Sequence, residues 1–239
     1  MTYPIQHKNI AFEVNALLKE YQIEAKLEEI NKLSTTIKKI IEFNQNLYRV
    51  GTLEGVSLAT TVKDLIEIFM LRSEVYRKMG YSNEFPEPIK GLDFDEYDEV
   101  SAILYSKRKD KVTGTCRLIF DTNRKLPIDK KFSLDYLRNS NRLLAEGSRV
   151  IIKDGGGLNR EFKFLTIDVY RVLEAYKMNL ISVMTQEHLK MYSNFGGFGI
   201  EKRFQTYGTL DQEFFVTLWQ VEKISPFFKR VFLRDRKIA

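Results

Sequence analysis

Charged side chains set inside otherwise apolar runs are the most informative feature of this sequence. Arg117 stands within Gly114-Thr-Cys-Arg-Leu-Ile-Phe120, and Glu146, Ser148 and Arg149 open a run rich in Val and Ile that ends at Lys153. Arg72, Tyr76 and Tyr81 lie on and just past an apolar-periodic stretch, and Asp95 and Asp98 precede the first strand-like run. A charge in such surroundings must point to solvent or have a partner, because burying it alone is costly. Buried carboxylates can act as general bases once their pKa is raised, and guanidinium groups can grip a carboxylate through two parallel N–H donors. The plainer reading joins Arg72, Asp95, Asp98, Arg117, Glu146 and Arg149 as structural ion pairs, and pattern alone favours it.

Other reactive groups carry less. Cys116 adjoins Arg117, which suggests an activated thiol, but no triad companion is visible and a small buried Cys is ordinary core material. His188 is one of two histidines and reads as a surface or packing residue. No clustered Cys and His ligands exist, so no metal site is expected. Neither the P-loop nor the dinucleotide fingerprint occurs.

These residues need elements to hold them. Residues 11–50 read as a helix, with Ile23, Ile30 and Ile37, and Leu33, Ile40 and Leu47, recurring every seven residues. This arm either packs back on its own domain or meets a coiled-coil partner, and its length favours the former. After a break at 51–57, Val62, Leu65, Ile66, Phe69, Val75 and Tyr76 predict a second helix ending near Gly80. Runs at 100–105 and 112–120 around a charged turn predict a β-hairpin. A strand over 143–153, an amphipathic helix over 159–177, a buried strand over 180–184, a short helix over 186–194 and a strand over 214–221 follow. The order predicts a mixed α/β layer with one crossover, divided into a helical extension over 1–55 and one domain over 56–239.

Composition sets the class. The 239 residues, 44% hydrophobic and 29% charged, suffice for one large domain with its own core. A single Cys and the lack of a signal-peptide run predict a cytoplasmic protein. The net charge of +6 favours an acidic partner, but no nucleic-acid-binding motif accompanies it, so nucleic acid is not expected.

The order Arg-x-x-Val-Tyr-x-x-x-Gly-Tyr (72–81), Asp-Glu-Tyr-Asp (95–98), Gly-x-Cys-Arg-Leu (114–118) and Glu-Gly-Ser-Arg (146–149) resembles the acyl-homoserine-lactone (autoinducer) synthases and their relatives, the N-acyl amino acid synthases. Both belong to the GNAT superfamily, and the resemblance covers about residues 60–200. Three departures tilt it toward the N-acyl amino acid synthases. Tyr81 stands where the family usually has Trp, Leu-Ile-Phe-Asp follows Arg117, and the N-terminal arm is longer.

The resemblance implies a three-layer GNAT fold with a mostly antiparallel mixed sheet and a splayed pair formed by the strands of 146–153 and 180–184. The implied activity moves a fatty acyl group from an acyl-carrier-protein or coenzyme A thioester to the α-amine of an amino acid, with no tightly bound cofactor. The alternatives are a lactone synthase using S-adenosylmethionine and a non-catalytic acyl-binding module. Glu146 is then the candidate base and Tyr192 the donor of a proton to the leaving thiolate. Arg72, Tyr76, Tyr81, Asp95, Asp98, Arg117, Ser148 and Arg149 form the acceptor site, with Arg72 or Arg149 gripping its carboxylate. Backbone N–H groups near Val150 or Ile151 serve the oxyanion, Gly155, Gly156 and Gly157 the donor's phosphate, and nearby aromatics the acyl chain. Lys107-Arg108-Lys109, Lys125 with Lys130 and Lys131, and Lys229-Arg230 would steer an acidic carrier protein, and the Phe227–Leu233 tail could touch a membrane, close the acyl tunnel or pack as a terminal helix.

Overall fold

A computed structural model describes residues 10–47, 56–85, 87–139, 142–153, 159–207 and 210–233. The expected single N-terminal helix is two: α1 (Ile10–Glu20) and α2 (Leu27–Asn46). The break is a C-terminal cap with Gln22 in the left-handed region, where Ile23 N–H donates to Leu18 and Gln22 N–H to Lys19. Glycine usually fills that position, so the sequence carries no sign of the turn. The buried positions of α2, Leu33, Ile37 and Ile40, share one core with Leu65, Ile66 and Phe69 of α3 (Val62–Lys78). The arm therefore packs back on its own chain. Asn44 fastens it further, donating to the Ala59 carbonyl and accepting from Ile103 N–H.

Seven strands among the described residues form one sheet in the order β1-β2-β3-β4-β5-β7-β6. They are β1 (Val56–Leu58), β2 (Ser101–Arg108), β3 (Lys111–Phe120), β4 (Leu143–Ile152), β5 (Met178–Thr185), β6 (Phe198–Tyr207) and β7 (Leu210–Trp219). Only β4 and β5 run parallel, joined by the crossover helix α5 (Arg160–Ala175). Two short helices, α4 (Asp135–Arg138) and α6 (Gln186–Ser193), precede β4 and follow β5. The strands β1 and β6 were not legible. β1 is three residues long, and β6 is an edge strand whose Lys202 and Arg203 break any apolar run.

Alternation along the strands sorts the core into layers. Ala102, Leu104, Cys116, Leu118 and Ala145 face α5. Ile103 and Tyr105 face α2 and α3, while Ile119, Leu144 and Ile181 lie under a helical turn at Pro127–Lys130. The C-terminal tail joins the α5 layer. Phe228, which ends α7 (Pro226–Phe228), is buried against Phe195 and Trp219, and Phe232 beyond it against Phe195 and Phe228. These two rings of the tail thus pack into the core and are not available to a membrane.

Gly197 ties this tail to the sheet. Its φ is +73°, and a Cβ there would lie 2.4 Å from the Gln220 carbonyl oxygen. Gly199, two residues along β6, has room for a Cβ, with nothing nearer than 3.8 Å. We expect Gly197→Ala to cost more than about 1 kcal/mol in denaturant unfolding and Gly199→Ala to cost less than that. Equal costs would mean that the close approach is not a constraint.

Candidate active site

β4 and β5 pair only from Leu143–Gly147 against Met178–Ser182. Past that point β4 runs on to Ile152 along β3, and β5 to Thr185 along β7, so the two strands part toward their C-terminal ends. The polar residues gather on β3 and β4 beside this opening.

Arg117 and Ser148 are register partners on β3 and β4, and Glu146 shares their face. Strict alternation would turn Arg149 to the opposite face. It does not, because Arg149 has a φ of +54° and the β3–β4 register shifts between the Thr115 and Arg117 pairs. This irregularity is a β-bulge. Through it the Arg149 Nη2 comes 3.3 Å from Asp93 Oδ1 and 3.2 Å from Asp95 Oδ2. The guanidinium lies 4.2 Å from the Phe85 ring centroid and 5.4 Å from that of Tyr76, and these two rings stack on one another. Tyr81 packs beside Tyr76, ring centroids 6.5 Å apart.

The aspartates come from the loop between α3 and β2, folded on itself by Asp95 N–H donating to Asp98 Oδ2 and Tyr97 N–H to Asp95 Oδ1. Arg117 Nη1 lies 2.6 Å from Asp95 Oδ1 and 3.2 Å from Asp98 Oδ1, and its Nε donates to Ser148 Oγ. Arg72, on the inner face of α3, lies 2.8 Å from Asp98, and both side chains are fully buried. Five of the six charges picked out by the sequence thus form one network. Arg72 braces Asp98 from beneath, with no exposed surface through which to hold a substrate carboxylate.

Glu146 is the sixth. Its side chain is buried and accepts a hydrogen bond from Ile128 N–H at 3.0 Å. Burial pushes its pKa up to about 7, with the Ile128 N–H and the Arg117 charge opposing and the Asp129 and Asp95 charges adding. Asp95 behaves differently. Burial pushes it up too, but Arg117 and Arg149 outweigh that and hold it well below the usual carboxylate range. Asp93 is shifted up, because its burial outweighs Arg149.

A pocket of about 460 Å³ opens against this network, within the size range of small-molecule sites. Asp93, Asp95, Phe85 and Arg149 line one part of it, and Lys32, Thr35 and Thr36 of α2 another. Sequence reasoning missed Lys32, Phe85 and Asp93. Asp93 falls two residues before the acidic motif, Phe85 lies in a loop without periodicity, and Lys32 lies on the polar side of α2, whose pattern reports only the buried face.

The remaining predicted residues lie elsewhere. Val150, in the bulge, is half-exposed, and Ile151 is buried and paired with Thr115. Gly155, Gly156 and Gly157 fall outside the described residues, and α5 opens just beyond them with Asn159 accepting from Phe162 N–H. Tyr192 packs against the α5-facing core, away from the charged network, among Phe162, Phe195 and Phe198. Burial raises its pKa, so the hydroxyl keeps its proton. The aromatics expected around an acyl chain are packed on one another there, with Phe195 and Trp219 ring centroids 5.9 Å apart. Cys116 faces the same core, and burial pushes its thiol pKa up, the reverse of activation.

Much of the basic surface is already paired. Lys107 bonds Asp64, Arg108 bonds Glu161 and Lys125 bonds Asp135, while Lys229 and Arg230 remain exposed. Among the described residues no His, Cys, Asp and Glu cluster is arranged to hold a metal, and no helix is long and apolar enough to cross a membrane.

Residues 67–218, more than half of the chain, match the family model of the N-acyl amino acid synthase FeeM. The structure is similar to that of FeeM, an N-acyl amino acid synthase from uncultured soil microbes, with 17% identity and a TM-score of 0.54 over 70% of this chain and 95% of that one. It is also similar to a CoA-dependent acyl-homoserine lactone synthase, MesI, with 17% identity and a TM-score of 0.53 over 74% of this chain and 91% of that one. A second CoA-dependent lactone synthase, BjaI, solved with SAM and isopentyl-CoA, gives 18% and 0.50 over 72% and 84%. No curated protein matches by sequence. The mixed, mostly antiparallel sheet with parting strands expected from the resemblance is the one observed, and the fold is that of the FeeM structure.

Proposed function

We propose that this chain, which belongs to the FeeM family of N-acyl amino acid synthases, transfers a fatty acyl group from a carrier-protein or coenzyme A thioester to the α-amine of an amino acid. Acyl transfer is the activity of the family, and the donor and acceptor are our reading. The observation that carries it is Glu146, a buried carboxylate with a pKa of about 7, on the strand that borders both the charged network and the strand opening.

The thioester arm enters where β4 and β5 part, and its amides pair with strand backbone in the manner of an added strand. Glu146, through a water, removes the proton that keeps the acceptor amine from attacking. The amine nitrogen bonds to the thioester carbon, and the resulting oxyanion accepts from a backbone N–H at Val150 or Ile151. Collapse breaks the carbon–sulfur bond, and the second proton that the nitrogen sheds passes through solvent to the departing thiolate. The carbonyl carbon is thereby passed from sulfur to nitrogen with no redox step. Asp95, shared between Arg117 and Arg149, fixes the acceptor side of the site.

One feature favours a second reading. Among the described residues five carboxylates and two cations line the pocket, which suits the sulfonium of S-adenosylmethionine and hence lactone synthesis. Incubation with a long-chain acyl carrier protein and the matching acyl-coenzyme A, a pool of amino acids and S-adenosylmethionine, read by mass spectrometry, separates the readings. We expect N-acyl amino acids. Acyl-homoserine lactones would establish the second reading, and acyl binding without turnover would leave only a binding module.

A further inference from the structure

The acceptor pocket is lined from three separate stretches of chain: α2, the loop between α3 and β2, and Arg149 of β4. The last two carry the family's charged residues, whereas α2 belongs to the N-terminal arm, which precedes the family match at residue 67. An amino-acid acceptor brings a carboxylate, and the pocket wall is acidic, with Glu84, Asp93, Asp95, Glu96 and Glu99 all lining it. A carboxylate enters such a space only against a cation that is not already neutralised. Arg72 is sealed beneath Asp98, and Arg117 is divided between Asp95 and Asp98. Arg149 reaches the pocket, but its guanidinium is already shared by Asp93 and Asp95 and covered by Phe85. The other cation lining the pocket is Lys32, which makes no ion pair with any described residue.

Its position is set by the packing of α2. The next residue, Leu33, is fully buried, as are Ile37 and Ile40. One and two turns along, Thr36 and Lys39 both bond Glu99, the latter at 3.0 Å. The backbone that carries Lys32 is thus anchored, and the residue itself is exposed at the pocket.

Resting on the amino-acid acyltransfer reading above, we propose that Lys32 binds the carboxylate of the acceptor, making the N-terminal arm part of the active site and a determinant of acceptor choice. The test compares the amino acid that gives most product in the screen above with its own carboxamide, in the wild type and in the Lys32→Ala and Lys32→Arg variants. The expected result is a KM for the amino acid raised about tenfold or more in Lys32→Ala, the scale of one charge-assisted contact. The kcat should stay within about twofold, Lys32→Arg should recover most of the loss, and the KM for the carboxamide should not move in either variant. An unchanged KM for the amino acid, an equal loss for acid and amide, or a wild type that prefers the amide would each overturn the proposal. A wild type that acylates no amino acid would instead defeat the functional reading itself, and the two failures are therefore distinguishable. Since Lys32 is exposed, thermal unfolding of both variants should match the wild type.

Discussion

Glu146→Gln is expected to lose acyl transfer while gaining stability at alkaline pH. The catalytic half follows from the loss of a proton acceptor. Positioned general bases contribute about a hundredfold to ten-thousandfold, and kcat should fall by that order, with donor binding retained. In the wild type, kcat/KM should rise with pH up to about 7, where Glu146 becomes charged, and the variant should lack that limb.

The stability half follows from the same burial. Burial raises the folded-state pKa from 4.5 to about 7, so the folded protein holds the proton more tightly than the unfolded chain. The stability this contributes is complete below pH 4.5, falls away as pH rises, and is gone above about 7, where the charge must be buried. The difference amounts to roughly 3 kcal/mol. Gln has no charge to bury and keeps an oxygen for the Ile128 N–H. Glu146→Gln should therefore unfold at a higher temperature than the wild type at pH 8, by up to about 10 °C, and at nearly the same temperature at pH 4. Full activity in the variant would remove Glu146 from the mechanism, and a difference in Tm that ignores pH would show that its charge is not buried.

Asp98→Asn should do the opposite to stability. Asp98 is fully buried between Arg72 and Arg117 and also accepts from Asp95 N–H. Removing its charge leaves the Arg72 guanidinium buried without a counter-charge, a situation that costs about 3–5 kcal/mol. For a chain of this size that lowers Tm by about 10 °C or more. The pair Arg72→Met with Asp98→Leu removes both charges and should be less destabilised than the single variant, since desolvation is avoided on both sides. If Asp98→Asn melts within about 2 °C of the wild type, the pair contributes nothing measurable. Loss of activity should accompany loss of stability here, because Asp98 orders the loop that carries Asp95.

The two results bear on different parts of the site. Glu146 belongs to the sheet and its effect is electrostatic and local, whereas Asp98 organises the loop against which the pocket forms. A variant that keeps its fold and loses turnover points to the first, and one that loses both points to the second.

The sequence by itself determined the element types wherever periodicity was strong. The apolar stripe of α2, the buried face of α3, the β2–β3 hairpin and the crossover through α5 all follow from spacing, because burial of one face imposes a period on the chain. The charged residues within apolar runs were visible for the same reason: each breaks the period that surrounds it. The tertiary structure alone decided how those charges meet. The left-handed backbone at Arg149 turns a residue onto a face that alternation denies it, and nothing in its neighbours announces this. The break at Gln22 divides a helix that its heptads would have continued, and so sets where α2, with Lys32, comes to rest. Periodicity reports only what a segment buries. Which residues from distant segments share a pocket depends on how the segments pack, and that is fixed by contacts across long stretches of chain.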